Sequence, residues 1–296
     1  MLREKEVKTV LNKLKKRDSW FLVDYTVNPY EGCSCNCQYC YIRGSKYGEN
    51  LAEGLAVKSN APEILEKQLA AKAKNGQYGF VGIGSATDAY IHQEEKYRMT
   101  ETILRLLLKY RFPAFISTKC ALIKRDIKLL KEIDQAAILP ADLGSTLKRG
   151  VILSVSVSSL DDTISHMLEP GAIPPLQRLQ LLKELKQEGF LAGVNAIPVL
   201  PFISDTEEEL DKIIFAANEY DADYVLVGGL TLFGNEKADS KTLFYKFLQR
   251  YDASLLPKYS SLYESNYYTV SCYQKELKER ADRICERYSV RNKILE

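Results

Sequence analysis

The chain of 296 residues lacks the features of several protein classes. It has only two histidines and one tryptophan, and its formal net charge is +2. No apolar run approaches the length that spans a membrane, and the small net charge creates no strong field that would attract nucleic acid. Hydrophobic residues make up 46% of the chain and charged residues 27%. This balance is typical of a globular protein with a sizeable core and excludes a disordered chain.

The first ten residues, MLREKEVKTV, are charged from Arg3 onward and contain no apolar segment. We therefore expect neither a signal peptide nor a membrane anchor, and we predict a cytoplasmic protein. Residues 1–19 have the pattern of an amphipathic helix whose basic side chains face solvent, so we predict an N-terminal helix there.

Short apolar segments that are rich in β-branched residues or glycine recur along the chain. Six have the length of a buried strand, at 20–27, 78–85, 113–118, 151–158, 191–200 and 223–230. Segments with helical spacing lie between most of them, at 61–75, 95–110, 124–134, 175–188 and 206–220. Because parallel neighbours need a crossover connection, we predict an α/β fold over 20–235, a partial (β/α)6 TIM-type barrel with parallel strands. Amphipathic segments beyond it predict a helical extension over 236–296 that packs on the barrel.

Four of the seven cysteines stand close together, in the segment GCSCNCQYCY. In a reducing compartment such a cluster more often binds metal or performs redox chemistry than forms disulfides. A structural zinc site usually has two close pairs of ligands, but only Cys37 and Cys40 form one, and His92 and His166 are isolated. With Cys33, the pair forms the pattern C-x3-C-x2-C. Three thiolates can hold three irons of a cubane cluster and leave the fourth iron open, whereas ferredoxins supply four cysteines.

The remaining cysteines do not extend this pattern. Cys35 lies inside the motif at the wrong spacing, and we interpret it as a loop residue that is not a ligand. Cys120, Cys272 and Cys285 are scattered singly, so they predict no second cluster. We expect Cys272 and Cys285 to pack as small apolar groups.

The C-x3-C-x2-C motif, with Tyr39 before its last cysteine and a strand before the motif, resembles the radical S-adenosylmethionine superfamily. Residues 28 to about 205, which include GSATDAYIHQEEKYRMTETILRLLLKY and STKCALIKRDIKLL, are similar to its spore photoproduct lyase-like branch. The resemblance implies a 4Fe–4S cluster on Cys33, Cys37 and Cys40 whose open iron binds S-adenosylmethionine. Reductive cleavage of that cofactor would give a 5′-deoxyadenosyl radical. The resemblance also implies an electron donor of the flavodoxin or ferredoxin type as a partner. It implies no association with a membrane.

The same resemblance implies residues that bind the cofactor. Lys119 and Ser156 match positions that contact the end groups of S-adenosylmethionine. Independently, an ammonium and a hydroxyl at strand ends suit a carboxylate and other polar groups. We add Ser85 of the GSATD segment to the predicted cofactor-binding residues, because it also follows a strand.

The catalytic candidates are Tyr39, Tyr41 and Cys120. The two tyrosines flank the last cysteine of the motif and could relay hydrogen atoms, although packing would explain them almost as well. The resemblance places Ser85 where the lyase has the cysteine that returns hydrogen to its product. A serine O–H bond is much stronger than a thiol S–H bond, so Ser85 is a poor hydrogen donor. Cys120, one strand away, could replace it only if its thiol points into the site.

We therefore predict a radical enzyme that acts on a substrate other than spore photoproduct, with nucleic acid left open as a substrate class. Three alternatives remain. The chain could be a true photoproduct repair lyase, a non-catalytic iron–sulfur electron carrier, or a nucleic-acid-binding module stabilised by zinc. The zinc module is the weakest of these, because the second pair of ligands is absent and the charge is nearly balanced.

Overall fold

The computed structural model describes residues 2–48, 54–264 and 267–295. Its strands are β1 (Arg3–Lys5), β2 (Asn12–Lys13), β3 (Val23–Val27), β4 (Tyr30–Glu31), β5 (Ala56–Lys58), β6 (Phe80–Ile83), β7 (Ala114–Thr118), β8 (Val151–Ser156), β9 (Leu191–Val199) and β10 (Val225–Gly229). Its α-helices are α1 (Ala61–Lys74), α2 (Glu94–Tyr97), α3 (Met99–Tyr110), α4 (Ile127–Ala136), α5 (Asp162–Leu168), α6 (Pro175–Gln187), α7 (Glu207–Glu219), α8 (Ser240–Tyr251), α9 (Leu256–Leu262) and α10 (Ser271–Arg287).

The main sheet has the strand order β10-β9-β8-β7-β6-β3-β2. Every neighbouring pair from β3 to β10 is parallel, and only β2 is antiparallel to its neighbour. The parallel strands follow one another in the order of the sequence, so each crossover advances the chain by one position in the same direction. This arrangement is a partial TIM-type barrel and confirms the predicted fold class.

The parallel strands can be predicted from the sequence because helices cover them and bury their side chains. All residues of β6 and β8 are buried, which gives each strand a nearly continuous run of apolar or small side chains. The core also takes in α10 through Leu277, Ala281 and Ile284. Cys285 packs there as expected, whereas Cys272 is exposed. In the described part of the chain, no helix is both long enough and apolar enough to cross a membrane.

The predicted N-terminal helix over 1–19 is wrong, because the described residues of this segment form β1 and β2 instead. β1 pairs with β5 in a small separate sheet, and β2 pairs with β3 at the edge of the barrel. Between these strands, Gln68 of α1 accepts hydrogen bonds from the backbone N–H groups of Val10 and Leu11. These long-range partners satisfy the backbone in an extended conformation and override a weak local helix propensity.

Candidate active site at the carboxyl edge of the sheet

The cysteine loop, residues 32–41, follows β3 and β4 and is shaped by tight turns. The Asn36 N–H donates to the Cys33 carbonyl at 3.3 Å, and the Cys40 N–H donates to the Cys37 carbonyl at 3.3 Å. Asn36 has a positive φ of 52°, a conformation that asparagine tolerates better than most residues. The turns bring the three cysteines of the motif to one end of the barrel.

The segment after α5 anchors this loop. The Gln38 N–H donates to the Leu168 carbonyl at 2.8 Å, and the Gly171 N–H donates to the Cys35 carbonyl at 3.1 Å. A Cβ atom at Gly171 would lie 1.9 Å from the carbonyl oxygen of Ser34. Only glycine therefore allows this close approach of the two backbones.

The three thiols of the motif are free, with Cys37 buried and Cys33 and Cys40 half-buried. Burial raises the pKa of the Cys37 and Cys40 thiols, and a hydrogen bond with Cys35 raises that of Cys33. These pKa values mean that thiolates there need a compensating cation, which iron would supply. The motif cysteines do not gather as closely as ligands of a single ion do. That spacing suits thiolates that each bind a different iron of a cubane cluster.

A buried carboxylate, Glu169, lies directly after α5 and joins several of the predicted residues. It accepts a hydrogen bond from the hydroxyl of Tyr39 and pairs with Arg178 at 2.5 Å and with the Lys119 ammonium at 3.9 Å. Tyr39 also bonds Ser158 at 2.8 Å. The structure thus brings Tyr39 and Lys119 together through Glu169. Sequence reasoning missed Glu169 and Arg178, although a glutamate followed by Pro-Gly just after a helix marks an unusual turn.

The charges in this group compensate one another. Burial alone would raise the pKa of Glu169, but Lys119 and Arg178 hold it below its ordinary value. Burial alone would also lower the pKa of Lys119, yet Glu169 and Cys37 raise it. Burial and the negative charge of Glu169 raise the pKa of Tyr39. Glu169 and Lys119 are therefore ionised at neutral pH, and Tyr39 is a protonated donor.

A second buried carboxylate, Asp88, follows β6 and faces the other side of the cysteine loop. It accepts hydrogen bonds from the Thr118 hydroxyl at 2.7 Å and from the backbone N–H of Lys119 at 2.8 Å. The thiol of Cys35 lies 3.9 Å from Asp88 Oδ2 and 3.6 Å from the Cys120 sulfur. The predicted catalytic residue Cys120 therefore contacts the loop cysteine that the sequence did not assign to the cluster.

A third polar group lies on neighbouring strands. Ser117 Oγ is 3.0 Å from Ser156 Oγ and accepts a hydrogen bond from Asn195 Nδ2 at 2.8 Å. Arg178 donates to the Ser156 carbonyl at 2.9 Å and so connects this group to Glu169. Asn195 Oδ1 is buried without a hydrogen-bond partner. A buried acceptor in that state needs a donor from a ligand or a water molecule. Sequence reasoning missed Asn195 because one asparagine inside an apolar strand carries no motif.

Ser85 and Tyr41 form a separate pair at a more exposed place. The Tyr41 hydroxyl donates to the Ser85 carbonyl at 2.5 Å, and the Asn28 amide donates to the Ser85 hydroxyl at 3.0 Å. The Tyr41 side chain is 39% exposed. Gly84, with φ of 83°, makes the turn that precedes Ser85. Among the residues that the structure describes, no direct hydrogen bond connects this pair to Lys119 or Ser156, the other predicted cofactor-binding residues.

A partial barrel that carries a three-cysteine loop after its first parallel strand, with polar side chains gathered beside it, defines a class of iron–sulfur proteins. The sequence profile of the radical SAM superfamily matches residues 27–217, which is more than half of the chain. The protein therefore belongs to the radical SAM superfamily. Members of this superfamily use a 4Fe–4S cluster and S-adenosylmethionine, and the buried thiols and the unpartnered acceptor of Asn195 fit such groups.

Similar sequences occur in bacteria, archaea and viruses. An uncharacterized protein of Mycobacterium tuberculosis is 29% identical over 270 residues, which cover 89% of this chain and 74% of that protein. An uncharacterized protein of Methanocaldococcus jannaschii is 26% identical over 187 residues, or 62% of this chain and 63% of that one. A radical SAM Nα-GlyT isomerase of Pseudomonas phage M6 is 23% identical over 59% of this chain and 33% of its own.

Solved structures share the fold at low sequence identity. Spore photoproduct lyase in complex with dinucleoside spore photoproduct has a TM-score of 0.63 and 15% identity, and the match covers 97% of this chain and 79% of the lyase. A lyase variant with bound AdoMet and the same dinucleoside has a TM-score of 0.62 and 14% identity, with 92% and 76% covered. Identities this low show a shared fold and do not transfer the reaction of the lyase.

Proposed function

We propose that this protein is a radical S-adenosylmethionine enzyme that holds one 4Fe–4S cluster through Cys33, Cys37 and Cys40. The observation that carries the proposal is the C-x3-C-x2-C loop, which lies beside the sheet and is anchored by the segment after α5. When bound, the cluster and S-adenosylmethionine supply a 5′-deoxyadenosyl radical that abstracts hydrogen from substrate. An electron donor of the flavodoxin or ferredoxin type would serve it.

The chain's own residues bind and orient the cofactor in this proposal. Lys119 has three N–H donors, so its ammonium can pair with Glu169 and still bind the carboxylate of S-adenosylmethionine. The hydroxyl of Ser156 and the free acceptor of Asn195 offer further polar contacts. Arg178, fully buried, holds both the Ser156 carbonyl and Glu169, and so fixes the spacing between these groups.

The contacts of the tyrosines support different roles for them. Tyr39 is buried and its hydroxyl bonds Glu169 and Ser158, which favours a role in holding the loop over a hydrogen relay. Tyr41 lies at the exposed edge, with its hydroxyl on the Ser85 carbonyl. A relay through Tyr41 stays a prediction.

We also propose that the substrate differs from spore photoproduct. The resemblance to the lyase-like branch matches Ser85 to its hydrogen-donating cysteine, and in this chain Asn28 donates a hydrogen bond to the Ser85 hydroxyl. The nearby thiol of Cys120 is turned toward Cys35, at a sulfur–sulfur distance of 3.6 Å. Both features argue against an efficient return of hydrogen to a product radical.

Anaerobic reconstitution with iron and sulfide, followed by dithionite and S-adenosylmethionine, tests the reaction. We expect 5′-deoxyadenosine from the natural chain and none from Cys33→Ala, Cys37→Ala or Cys40→Ala, each of which loses one of three iron ligands. Cys35→Ala is the matched control and should keep the cluster absorbance. A cluster that assembles and is reduced without cleaving the cofactor would favour the electron carrier. Loss of the cluster in Cys35→Ala but not in Cys33→Ala would show that the ligand register is wrong.

An assay with dinucleoside spore photoproduct tests the substrate proposal. We expect poor turnover by the natural chain and improved turnover by Ser85→Cys, since a weaker S–H bond supplies the missing hydrogen. Efficient repair by the natural chain that disappears in Cys120→Ala would identify Cys120 as the donor and overturn the proposal. Efficient repair that survives Cys120→Ala would also refute the requirement for a thiol.

A further inference from the structure

Cys35, Asp88 and Cys120 form a second group of metal-ligating side chains beside the cysteine loop, and we call it the Asp88 group. Its three ligand atoms lie within 4.8 Å of one another, and it is the only such trio found in the described ranges. Cys35 and Asp88 are buried, whereas Cys120 is half-buried. None of the three belongs to the C-x3-C-x2-C ligand set.

Two of the three ligand distances in the Asp88 group are close to those around a single tetrahedral ion. Two sulfurs bound to zinc at about 2.3 Å are separated by about 3.8 Å in a tetrahedron. The sulfurs of Cys35 and Cys120 are 3.6 Å apart, and the Cys35 sulfur is 3.9 Å from Asp88 Oδ2. The third separation, between Cys120 and Asp88, is at most 4.8 Å, so an ion could enter after small shifts of these side chains. A disulfide would require a much larger approach, to about 2.05 Å.

The carboxylate of Asp88 is oriented as metal-binding carboxylates are. Its Oδ1 accepts from the Thr118 hydroxyl at 2.7 Å and the Tyr90 N–H at 2.8 Å, and its Oδ2 accepts from the Lys119 N–H at 2.8 Å. Such outer partners fix a ligand before the ion arrives. Oδ2 keeps one lone pair, which now faces the Cys35 thiol and which a cation could use instead.

The electrostatic balance of the Asp88 group also favours a cation. Its four hydrogen bonds, from the Thr118 hydroxyl, two backbone N–H groups and the Cys35 thiol, come from neutral donors, and no salt bridge to Asp88 occurs among the residues that the structure describes. A bound divalent ion would give this buried carboxylate a positively charged partner.

We propose that Cys35, Asp88 and Cys120 bind one thiophilic divalent cation of the zinc type, separate from the cluster on the C-x3-C-x2-C motif. Two thiolates and a carboxylate leave the fourth position open to water or a substrate group. Binding releases the two thiol protons to solvent and involves no change of oxidation state. The ion would connect the cysteine loop to the segments that follow β6 and β7. This inference does not depend on cleavage of S-adenosylmethionine.

Metal analysis of the reconstituted holoprotein, prepared anaerobically with zinc, tests the site. After desalting, we expect one zinc per chain in addition to the iron of the cluster. Cys120→Ser should lose this zinc and keep the cluster absorbance, while Cys272→Ser, at an exposed cysteine, should keep both. Zinc that is absent from the natural chain, or retained in Cys120→Ser, would overturn the proposal. If the natural chain binds zinc but does not cleave S-adenosylmethionine, that result would instead contradict the proposed function.

Cobalt titration gives an independent readout in which the motif cysteines cannot compete. In the full chain with Cys33, Cys37 and Cys40 replaced by alanine, Co²⁺ should produce a thiolate-to-cobalt charge-transfer band that saturates at one ion. Adding Cys35→Ser, Cys120→Ser or Asp88→Asn should weaken binding by about tenfold or more, because even outer partners of metal ligands cost that much. If the triple variant is folded by circular dichroism and shows no band, the site does not exist. If the triple variant is unfolded, the zinc measurement on the holoprotein decides whether the site exists.

Discussion

Two buried carboxylates contact the cysteine loop, and different kinds of partner stabilise them. Glu169, after α5, pairs with the cations of Arg178 and Lys119 and accepts from Tyr39. Asp88, after β6, accepts hydrogen bonds from a hydroxyl and from backbone N–H groups. Lys119 belongs to both groups, since its backbone N–H donates to Asp88 and its ammonium pairs with Glu169.

The different partners of Glu169 and Asp88 indicate different roles for the two carboxylates. Glu169 is fully compensated, so its role is to hold Arg178, Lys119 and the loop in one arrangement. Removing one partner of such a buried pair leaves an uncompensated charge, which costs far more than losing a surface pair. Neutral donors orient Asp88 without cancelling its charge, so Asp88 remains able to bind a cation.

The largest effect should come from breaking the compensated group. Glu169→Ala leaves Arg178 and Lys119 buried without their carboxylate, and we expect the free energy of unfolding to fall by about 3–5 kcal/mol. Urea titration under anaerobic conditions measures this change. Glu184→Ala is the control, because Glu184 forms a half-exposed pair with Lys124 and should cost no more than about 1 kcal/mol. Equal small losses in both variants would show that Glu169 does not carry this stability.

A smaller effect should follow from Asp88→Asn. The amide nitrogen replaces either Oδ1, which faces the Thr118 hydroxyl and the Tyr90 N–H, or Oδ2, which faces the Lys119 N–H, so at least one buried donor loses its acceptor. We expect a loss of about 1–3 kcal/mol in the free energy of unfolding. Thermal unfolding with and without zinc separates the two roles of Asp88, because zinc should stabilise the natural chain more than Asp88→Asn. Zinc stabilisation of equal size in both proteins would exclude Asp88 as a ligand.

The smallest predicted effect is a change in how the free energy of unfolding depends on pH under acidic conditions. Because Lys119 and Arg178 hold the folded-state pKa of Glu169 below its ordinary value, Glu169 binds fewer protons in the folded chain than in the unfolded chain. Its contribution is complete above the unfolded pKa of about 4.3 and is lost as the pH falls through the lower folded value. We expect Glu169→Gln to lose less stability than the natural chain over that range, as measured by urea titrations at several pH values. If both proteins lose stability equally as the pH falls, other carboxylates determine the acid sensitivity of the fold.

Much of the fold could be predicted from the sequence because the barrel strands are locally distinctive. The segments 113–118 and 151–158, for example, are short and apolar. In the structure they form the largely buried strands Ala114–Thr118 and Val151–Ser156. The predicted helix over 1–19 was wrong because the amphipathic pattern of that segment is only a local signal, and the segment takes its conformation from β3, β5 and α1.

The partial barrel and the three-cysteine motif could be predicted from the sequence alone, because strand periodicity and ligand spacing are properties of neighbouring residues. The contacts between the site residues depend on the tertiary structure. Tyr39 and Glu169 are 130 residues apart, and Cys35 and Cys120 are 85 apart. Such pairs meet only when the barrel brings the ends of distant strands together, and no local pattern indicates which way a thiol or a carboxylate will point.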